Sequence, residues 1–558
     1  MRNASVVAFI AGLLSASAFG ATYVPPQLIN PSGSISGQAI VSNGPSVGPT
    51  FGTVGISGGG TGATTALGAT SNIQFQQSGT GAAARSVQSK LSDIVSVLDY
   101  GAKCDGSTDD TTKFTNALNS FGSNGGTLLL PPGTCIVSSI TAPIGVTIAG
   151  WGVGATTLAT NSTTGNMLTF SSTGGGLRDI QLASTVTRTS GAYVTSQNGI
   201  TVRNVASKGH FVGFNISGAS SSSLAVNPSF TNINMFLPAT GAGSAAMIFQ
   251  NYSNAVIKGS VITGTPSGQQ PDYGILLKNG DTAFISDTNV TRNGYALAVT
   301  PGAGENNYSL NVSNSDFDSA GVISGSINAA SCLIQPIGTG NIYESHFTNV
   351  WCGLAAGDGA TIGSTGTGFI DGMHWVAGLF DGNGGSGFHV TNNVKNWSTI
   401  GGHAAGNGGA GYYVSAASTD WRIIGVQAGP VSQRGSNTST GINVGVAASN
   451  NYIISHNDVC GNAGGTIFDG GTGATKYVTQ NSCYNPLNGS VTVGASPFTW
   501  TNSTGAAVTA IVNGGTVSSI TLGGSTVATA TNTSVAVPPG QTIVITYSSA
   551  PTLSYKGF

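Results

Sequence analysis

Charged side chains are scarce in this chain of 558 residues. Only 6% of its residues are charged, and the formal net charge is -2. Because positive and negative charges nearly cancel, there is no electrostatic reason to expect a nucleic-acid or anionic-membrane partner. Long disorder is excluded as well, because disordered chains combine low hydrophobicity with high net charge, whereas 39% of these residues are hydrophobic.

Other familiar signals are also missing. Helix-forming runs are almost absent after residue 122, and no Cys/His spacing predicts a zinc site. The sequence therefore indicates neither a metal nor a cofactor. No strict three-residue period predicts collagen. What the chain does contain, 86 glycines among abundant Ser, Thr and Asn, is typical of an all-β protein with many short strands.

The stretch from Val97 to Val137 joins a glycine-rich leader to a long repetitive body. Val97–Tyr100 alternates like a short strand, and Thr108 or Asp109 is placed to cap a following helix. The apolar face of that helix is predicted from residues at i, i+3, i+4 and i+7: Phe114, Ala117, Leu118 and Phe121. Such a helix protects the open end of a strand stack from pairing with other chains.

These residues resemble a known family. The motifs are Asp99-Tyr100-Gly101-Ala102, Asp105-Gly106, Thr108-Asp109-Asp110-Thr111, and the run from Gly125-Gly126-Thr127 to Pro131-Pro132-Gly133-Thr134. They resemble the start of pectate-lyase-like right-handed parallel β-helices. Residues 79–91 are similar to the segment that precedes this start in bacteriophage tailspikes. The resemblance implies an all-β, right-handed parallel β-helix with an N-terminal capping helix.

Composition divides the chain into four predicted regions. Residues 1–20 have the features of a signal peptide, with a buried hydrophobic tip as the alternative; their apolar run is too short for a comfortable membrane span. Residues 21–92 predict an extended attachment stalk, favoured over a flexible linker. Residues 93–489 form the predicted β-helix. Residues 490–558 predict a C-terminal antiparallel β domain, either a trimerisation domain or a carbohydrate-binding module.

The predicted β-helix contains internal repeats. Asn383-Gly384-Gly385-Ser386-Gly387-Phe388-His389-Val390 returns 24 residues later as Asn407-Gly408-Gly409-Ala410-Gly411-Tyr412-Tyr413-Val414. Trp397 and Ile400 likewise return as Trp421 and Ile424. A fixed period of this length predicts stacked coils around a continuous core. Residues two apart share one side of a strand, so Ile275/Leu277 and Leu297/Val299 are predicted to point inward.

Six cysteines fall into three local pairs: Cys104/Cys135, Cys332/Cys352 and Cys460/Cys483. One hypothesis is three disulfides formed in an oxidising compartment, which would support export. Six buried thiols remain the alternative, because spacing alone does not fix connectivity.

Candidate catalytic residues come from the acid-rich half of the chain. Glycoside hydrolysis needs two carboxyl groups on either side of the scissile bond. The chain has only two glutamates, Glu305 and Glu344. Aligning coils on Val312, Ile342 and Phe369 puts Glu344 and Asp371 in one column with Asn314. Successive strands lie about 4.8 Å apart, so these two carboxyl groups would reach one sugar.

The same alignment places Asp316 beside His346, with Met373 or His374 next to them. Asp316 and Asp318 would be same-side neighbours if their segment is extended, and they are the second candidate pair. Trp351 and Trp375 are predicted to offer stacking faces to pyranose rings. The alternative for the whole column is a polar ladder at the turns, in which Asp287, Asn314, Glu344 and Asp371 bond the backbone. His346 and His374 are then ordinary turn residues.

The related polygalacturonases carry Asn-Thr-Asp, Asp-Asp, Gly-His-Gly and Arg-Ile-Lys motifs, none of which occurs here after residue 140. The resemblance nevertheless implies a polysaccharide depolymerase of tailspike type that binds and cleaves a bacterial surface glycan. Hydrolysis is favoured over uronate lysis because residues 301–475 contain few cations. The alternative from another class is a non-catalytic adhesin or receptor-binding fibre. The expected assembly is a homotrimer, secreted or carried on a phage tail or baseplate through the N-terminal stalk.

Overall fold

The computed structural model describes residues 38–41, 50–52, 65–171, 173–266, 270–321, 329–445, 451–484 and 488–557. The predicted signal peptide therefore lies outside the described residues. The chain separates into two compact units, one up to Asp93 and one from Ile94.

The first unit contains short elements in its described part. Two helices span Ala66–Asn72 and Val87–Leu91, and two hairpins pair Ala39–Val41 with Thr50–Gly52 and Gln74–Phe75 with Arg85–Ser86. The Thr65 hydroxyl accepts from Gly68 N–H and so caps the first helix.

The second unit begins with the predicted cap. Val97–Tyr100 is a 3₁₀ helix and not the expected strand, because Ser96 and Asp99 form a reciprocal capping box at its start. The capping helix spans Thr111–Asn119 and buries Phe114, Ala117 and Leu118, as predicted. Asp110, and not Thr108 or Asp109, occupies the N-cap position. Its carboxylate accepts from the backbone N–H groups of Lys103 and Cys104, both at 2.9 Å.

The body is a right-handed parallel β-helix, as the sequence predicts. One of its sheets, called here the long-strand sheet, contains 22 strands. They are Val95–Ser96, Asp105–Asp109, Gly126–Leu129, Gly133–Ile136, Val146–Ala149, Thr156–Thr160, Gly176–Ser184, Thr201–Lys208, Ser229–Phe236, Ala255–Lys258, Val261–Thr263, Ala283–Ser286, Asn289–Thr291, Asn306–Tyr308, Leu310–Asp318, Asn341–Gly353, Ile370–Asp381, Val394–Ala405, Ser418–Ile424, Gln427–Ala428, Tyr452–Ser455 and Tyr477–Thr479. No described residue after Asn119 is helical.

The second sheet of the body, called here the short-strand sheet, has 13 strands and so sets the number of coils. They are Ile140–Ala142, Leu168–Phe170, Ala192–Ser196, Val212–Ser217, Ala245–Gln250, Tyr273–Leu277, Tyr295–Val299, Cys332–Ile334, Ala360–Ile362, Phe388–Val390, Tyr412–Val414, Ile442–Val444 and Ile467–Asp469. A short separate ladder pairs Ala225–Val226 with Tyr252–Ser253.

The core confirms the predicted repeat. Phe388 pairs with Tyr412 and Trp397 with Trp421, and the two indoles stack at 5.0 Å. The predicted inward residues Ile275, Leu277, Leu297 and Val299 are fully buried. The repeated Asn-Gly motif forms an interior amide ladder, in which Asn383 Nδ2 donates to Asn407 Oδ1 at 2.9 Å. Because each buried amide bonds the next, the ladder holds successive coils in register.

All three hypothesised disulfides are present: Cys104–Cys135, Cys332–Cys352 and Cys460–Cys483. They span 31, 20 and 23 residues, so each closes a loop of about one coil. Such a cross-link stabilises mainly by restricting the unfolded chain.

The C-terminal region is antiparallel and consists of two four-stranded sheets. One contains Asn488–Val491, Val508–Asn513, Thr533–Val537 and Thr552–Gly557; the other contains Phe498–Thr501, Thr516–Leu522, Ser525–Ala528 and Thr542–Ser549. The region has a hydrophobic core of its own, with Val508, Ile520, Val537 and Ile545 fully buried.

Candidate functional site

The longest strands of the long-strand sheet are bent at two positions of positive φ. In Asn341–Gly353 these are Glu344 (φ 47°) and Asn349 (φ 52°), and in the next strand they are Gly372 (φ 80°) and Ala377 (φ 53°). Each bend resets the alternation of inward and outward side chains, so one long strand contains three straight segments. Their outward side chains form three parallel facets along the β-helix.

We define the facets by their outward columns. The first facet contains Tyr308, Tyr343, Asp371 and Lys395. The groove facet contains Asn311, His346, His374, Ser398 and Arg422. The third facet contains Asn289, Asp316, Trp351, Leu379 and His403.

This register corrects the predicted column. Asn314 is level with Asn349, whereas Glu344 is level with Gly372 and Asp371 is level with Tyr343. Asp316 lies opposite Trp351 and not beside His346. The prediction failed for two reasons. The coil from Asn314 to Asn349 has 35 residues and is longer than its neighbours. In addition, its strand contains two inward apolar residues, Ile342 and Phe347, either of which could be aligned with Val312. The juxtaposition of His346 with His374 is confirmed.

Part of the predicted polar ladder is real, but with other members. Asn349 Nδ2 donates to Asn314 Oδ1 at 3.1 Å, and earlier in the same column Asn204 Nδ2 donates to Asp179 Oδ1 at 2.8 Å. Asn and Asp tolerate the left-handed conformation that these bends require. Asp287 occupies the same column, with φ of 52°.

The groove facet forms a series of cavities. Three of them, with volumes of about 350, 430 and 410 Å³, follow one another along the facet. His346 lines two of them, and His374 lines two. The imidazole rings of these histidines are 5.6 Å apart, and His374 Nδ1 lies 2.9 Å from Ser398 Oγ. Desolvation, with the nearby His346 and Arg422, lowers the pKa of His374 below its usual value.

Glu344 and Asp371 line the same cavity of the groove facet, although they do not share a column. Glu344 is exposed at its bend. Asp371 has two partners: Lys395 Nζ lies 3.0 Å from its Oδ2, and Asn396 Nδ2 donates to its Oδ1 at 2.7 Å. The carboxylate of Asp371 is therefore held in a turn network.

Asp316 and Asp318 have a different environment. They are outward neighbours on the straight segment between the bends at Asn314 and Ser319, and both are partly buried. Burial raises the pKa of Asp316. Burial is also the largest effect on Asp318 and raises its pKa; a hydrogen bond with the Ser319 side chain opposes it, and the charges of Asp316 and Arg292 make smaller contributions that raise and lower the pKa, respectively. Asp318 Oδ1 is buried without a hydrogen-bond partner among the described residues. Carboxyl groups with raised pKa values are typical of functional sites.

Trp351 borders this carboxyl pair on the next coil. It is opposite Asp316, and its half-buried indole lies over Gly353, which is opposite Asp318. Any Cβ at Gly353 would collide with the indole nitrogen, so glycine makes room for the ring. Within the described part of the chain, the Trp351 Nε1 donor has no hydrogen-bond partner. Asn289 Oδ1, on the coil before Asp316, has none either. The patch thus offers an aromatic ring and two carboxyl groups, beside buried polar atoms that have no partner among the described residues.

The expectation for Trp375 is wrong. Its side chain is fully buried and stacks on Phe347 with ring centroids 3.9 Å apart. A core indole offers no face to a sugar. The residue points inward because it follows the inward position Met373 by two on a straight segment.

The sequence did not indicate the aromatic side chains of the first facet. The rings of Tyr308 and Tyr343 stack at 5.0 Å with an angle of 8° between them, and Phe369 meets Tyr343 edge to face at 5.5 Å. Lys395 Nζ lies 4.6 Å from the centre of the Phe369 ring. The sequence does contain one aromatic residue in each of these coils. These residues can be recognised as neighbours only when the register of the strands is known.

Among the described residues, no group of three or more His, Cys, Asp or Glu side chains is arranged to hold a metal ion. In the same residues, no helix has the length and apolar character required to cross a membrane.

Comparison with known proteins agrees with this geometry. Residues 94–344 match a family model described as rhamnogalacturonase A/epimerase, pectate lyase-like. No curated protein sequence matches the chain. Among solved structures, a double mutant of the tailspike protein of E. coli bacteriophage HK620 is similar, with a TM-score of 0.50 and 13% identity over 88% of this chain and 98% of that chain.

Two further structures have lower TM-scores. The Dettilon tailspike protein has a TM-score of 0.46 and 12% identity, over 85% of this chain and 95% of that one. The A-module of the Azotobacter vinelandii mannuronan C-5 epimerase has a TM-score of 0.46 and 15% identity, over 70% of this chain and 100% of that one. The low identity to the HK620 tailspike indicates a shared fold and no shared activity. Residues 94–344 thus match a pectate-lyase-like family model, and the chain folds as a right-handed parallel β-helix similar to that tailspike protein.

Proposed function

We propose that this protein binds a bacterial surface polysaccharide and cleaves it by glycoside hydrolysis, with Asp316 and Asp318 as the catalytic carboxyl pair. The observation that carries the proposal is the raised pKa of both groups, which burial causes. A general acid has to hold its proton near the working pH, and burial is how proteins achieve this for a carboxyl group.

The spacing of the pair suits the reaction. Outward neighbours on one straight segment have Cα atoms about 6.5 to 7 Å apart. Glycosidases place their two carboxyl groups between about 5 and 9.5 Å apart, the shorter distance for retention of configuration and the longer for inversion. Asp318, whose pKa the charge of Asp316 raises further, is the proposed acid that protonates the glycosidic oxygen. Asp316 is the proposed base or nucleophile.

Sugar binding is assigned to the neighbouring exposed rings. Trp351 stands directly beside Asp316, and the stacked Tyr308 and Tyr343 present a flat surface on the first facet. Aromatic faces of this kind pack against the apolar faces of pyranose rings. The groove facet between them, with His346 and His374, would take the rest of the glycan chain.

Glu344 and Asp371 are retained as the second candidate pair, in the groove facet. Lys395 and Asn396 hold the carboxylate of Asp371 in a turn network, and Glu344 is exposed at its bend. This pair is therefore proposed to contribute to binding, and to catalysis only if the Asp316 and Asp318 variants remain active.

A specific observation favours uronate lysis as the second candidate reaction. A lyase needs a neutral base and a cation near the substrate carboxylate. The groove facet contains both, because His374, whose pKa is lowered, lines the same cavity as Arg422. Lysis would create an unsaturated uronate end with a characteristic ultraviolet absorbance, whereas hydrolysis would create only new reducing ends.

The test is the size distribution of capsule and O-antigen polysaccharides from a broad panel after incubation with the full-length protein. Shortened chains with new reducing ends support hydrolysis. Unchanged chains across the panel, together with measurable binding, would instead identify the protein as an adhesin or receptor-binding fibre. Asp287→Asn is the matched control variant, because Asp287 lies exposed at a bend of the same sheet and asparagine tolerates its backbone conformation.

The proposed setting is a secreted protein or a virion tail, in which the region before the β-helix attaches to the tail or baseplate. The C-terminal region is proposed to hold three copies together, because it has its own core and, among residues 490–558, only Lys556 carries a charge. Deletion of residues 490–558 should leave monomers by light scattering at micromolar concentration. A full-length protein that is already monomeric would refute this assignment.

A further inference from the structure

A serine, a histidine and an aspartate are connected by hydrogen bonds on the short-strand sheet, away from the three facets. Asp358 Oδ2 lies 2.8 Å from His389 Nδ1, and His389 Nε2 lies 2.9 Å from Ser415 Oγ. The three residues belong to three successive coils, since Thr361 pairs with His389 and His389 pairs with Tyr413. Parallel stacking alone brings them together.

The carboxylate fixes the tautomer of the imidazole. An ionised carboxylate only accepts hydrogen bonds, so His389 Nδ1 donates to Asp358 and Nε2 is left as an acceptor for the Ser415 hydroxyl. The pKa of Asp358 lies below its usual value. Burial is the largest single effect and raises this pKa, but it is outweighed by the hydrogen bond of His389, the charge that His389 carries when protonated, the Ser386 N–H at 2.7 Å and the Thr361 hydroxyl at 3.0 Å together.

The imidazole is also held in place from the side. The ring of His389 stacks on that of Tyr413 with centroids 4.7 Å apart and an angle of 17°. The side chains of His389 and Asp358 each keep 20% of their exposure, and Ser415 is half-buried. None of the three residues is therefore fully buried.

The structure offers a comparison within the same register. Ser171 occupies the position of Ser415 on an earlier coil, one residue after the strand, and its hydroxyl donates to Ala142 O at 3.1 Å. Ser415 makes the corresponding contact to Val390 O at 3.3 Å, but it also has the shorter contact to His389. Both serines thus contact a backbone carbonyl of the preceding coil. Of the two, only Ser415 also contacts a histidine that is bonded to an aspartate.

We propose that Ser415, His389 and Asp358 form a second active site, which transfers acyl groups and hydrolyses carboxylic esters. An ordered Ser-His-Asp relay is the arrangement that activates a serine hydroxyl for attack on an ester carbonyl, whatever the fold. On the polysaccharide substrate the ester would be an O-acyl group on a sugar hydroxyl. That part of the proposal rests on the proposed function, whereas the ester chemistry does not.

The reaction balances with water as the second reactant. Ser415 Oγ bonds to the acyl carbon while its proton moves to His389 Nε2. The bond from the acyl carbon to the alcohol oxygen then breaks, and His389 returns the proton to that oxygen. Water attacks the acyl-serine, His389 takes one of its protons, and the bond to Ser415 Oγ breaks. The carboxylic acid leaves and Oγ recovers the proton.

The experiment uses full-length protein, a fluorophosphonate probe with peptide mapping, and p-nitrophenyl acetate as substrate. We expect the probe to label Ser415 at least about 10²-fold faster than Ser171, and His389→Gln or Asp358→Asn to remove that advantage. Ser415→Ala should abolish ester hydrolysis above background, whereas Ser171→Ala should leave it unchanged. Equal labelling of the two serines, or equal hydrolysis by the two alanine variants, would overturn the proposal.

Two controls keep the outcome interpretable. The melting temperature of His389→Gln is compared with that of the parent, and Asp358→Asn provides an independent way to break the relay if the histidine variant misfolds. Asp316→Asn must retain the labelling of Ser415, because that residue belongs to the polysaccharide site. A protein that hydrolyses the ester but leaves every glycan intact would refute the proposed depolymerase and support this site.

Discussion

The two candidate carboxyl pairs of this β-helix differ in what surrounds them. Asp371 has a lysine and an asparagine as partners, and Glu344 is exposed at a bend. Asp316 and Asp318 are partly buried, and Asp318 has an oxygen with no partner in the described part of the chain. The first pair follows the pattern of a turn network, and the second does not.

The difference shows how to separate structure from function in a chain rich in polar ladders. A carboxylate whose partners compensate its burial contributes to the fold. A carboxylate that is desolvated without compensation destabilises the fold, so its presence indicates a function that outweighs the cost. Each of the following predictions tests that distinction.

The largest effect is expected for the desolvated pair. Asp316→Asn and Asp318→Asn should each lower the rate of polysaccharide cleavage by at least about 10²-fold, because a lost general acid or base costs 10² to 10⁴. Both changes keep the size of the side chain. The measurement is the rate of appearance of reducing ends, with Asp287→Asn as the control that should retain the full rate. Activity in both variants would remove the pair from the mechanism.

The two tryptophans provide a second contrast. Trp375→Phe removes part of an indole packed on Phe347 and should lower the free energy of unfolding by about 1 to 3 kcal/mol, with little change in KM. Trp351→Phe should do the opposite: KM rises several-fold and stability changes little, because its indole is only half-buried. Urea denaturation and substrate titration distinguish the two. A rise in KM for Trp375→Phe alone would reverse the assignment.

The paired carboxylates should matter less for the rate. Glu344→Gln and Asp371→Asn are each expected to lower kcat less than about 10-fold, well below the loss expected for a general acid or base. The reason is that Lys395 and Asn396 hold Asp371 in a turn network, whereas Glu344 is exposed at a bend. Changes in KM are expected instead, because both residues line a cavity of the groove facet. A loss of 10²-fold or more in kcat with unchanged melting temperature would make Glu344 and Asp371 the catalytic pair.

Much of the fold could be predicted from the sequence, because the capping helix and the 24-residue repeat depend on local patterns. Phe114 and Leu118 lie on one face of a helix wherever that helix packs, and Trp397 and Trp421 return at a period that only stacking explains. The three disulfides followed from the same reasoning, since cysteines about one coil apart lie on neighbouring strands.

The candidate site could be predicted only in part, because it depends on register. The strand Asn341–Gly353 contains several inward apolar residues, and both Ile342 and Phe347 are plausible starts of a coil. The structure pairs Val312 with Phe347, five residues from the predicted partner Ile342. Positive φ at Glu344 separates Ile342 from Phe347, and a single residue of this kind does not reveal such a bend in a sequence.

The smallest expected effect is on stability: Asp318→Asn and Asp371→Asn should change the free energy of unfolding at pH 7 in opposite directions. A carboxyl group whose pKa is raised by folding binds its proton more tightly in the folded state, so its contribution to stability is lost as the pH rises through that pKa. Asp318→Asn should therefore raise the free energy of unfolding at pH 7 and change it little at about pH 2.5, where the carboxyl group is protonated in both states.

Asp371→Asn should lower stability at pH 7 by up to about 1 kcal/mol, since it removes a half-exposed ion pair with Lys395 and leaves the lysine unpartnered at that contact. Urea midpoints at the two pH values measure both variants under the same conditions. Opposite signs at pH 7 fit one pair held for function and the other held by the fold. If Asp318→Asn is destabilising at pH 7, its carboxylate has a structural partner after all, and the argument that singles out Asp316 and Asp318 fails.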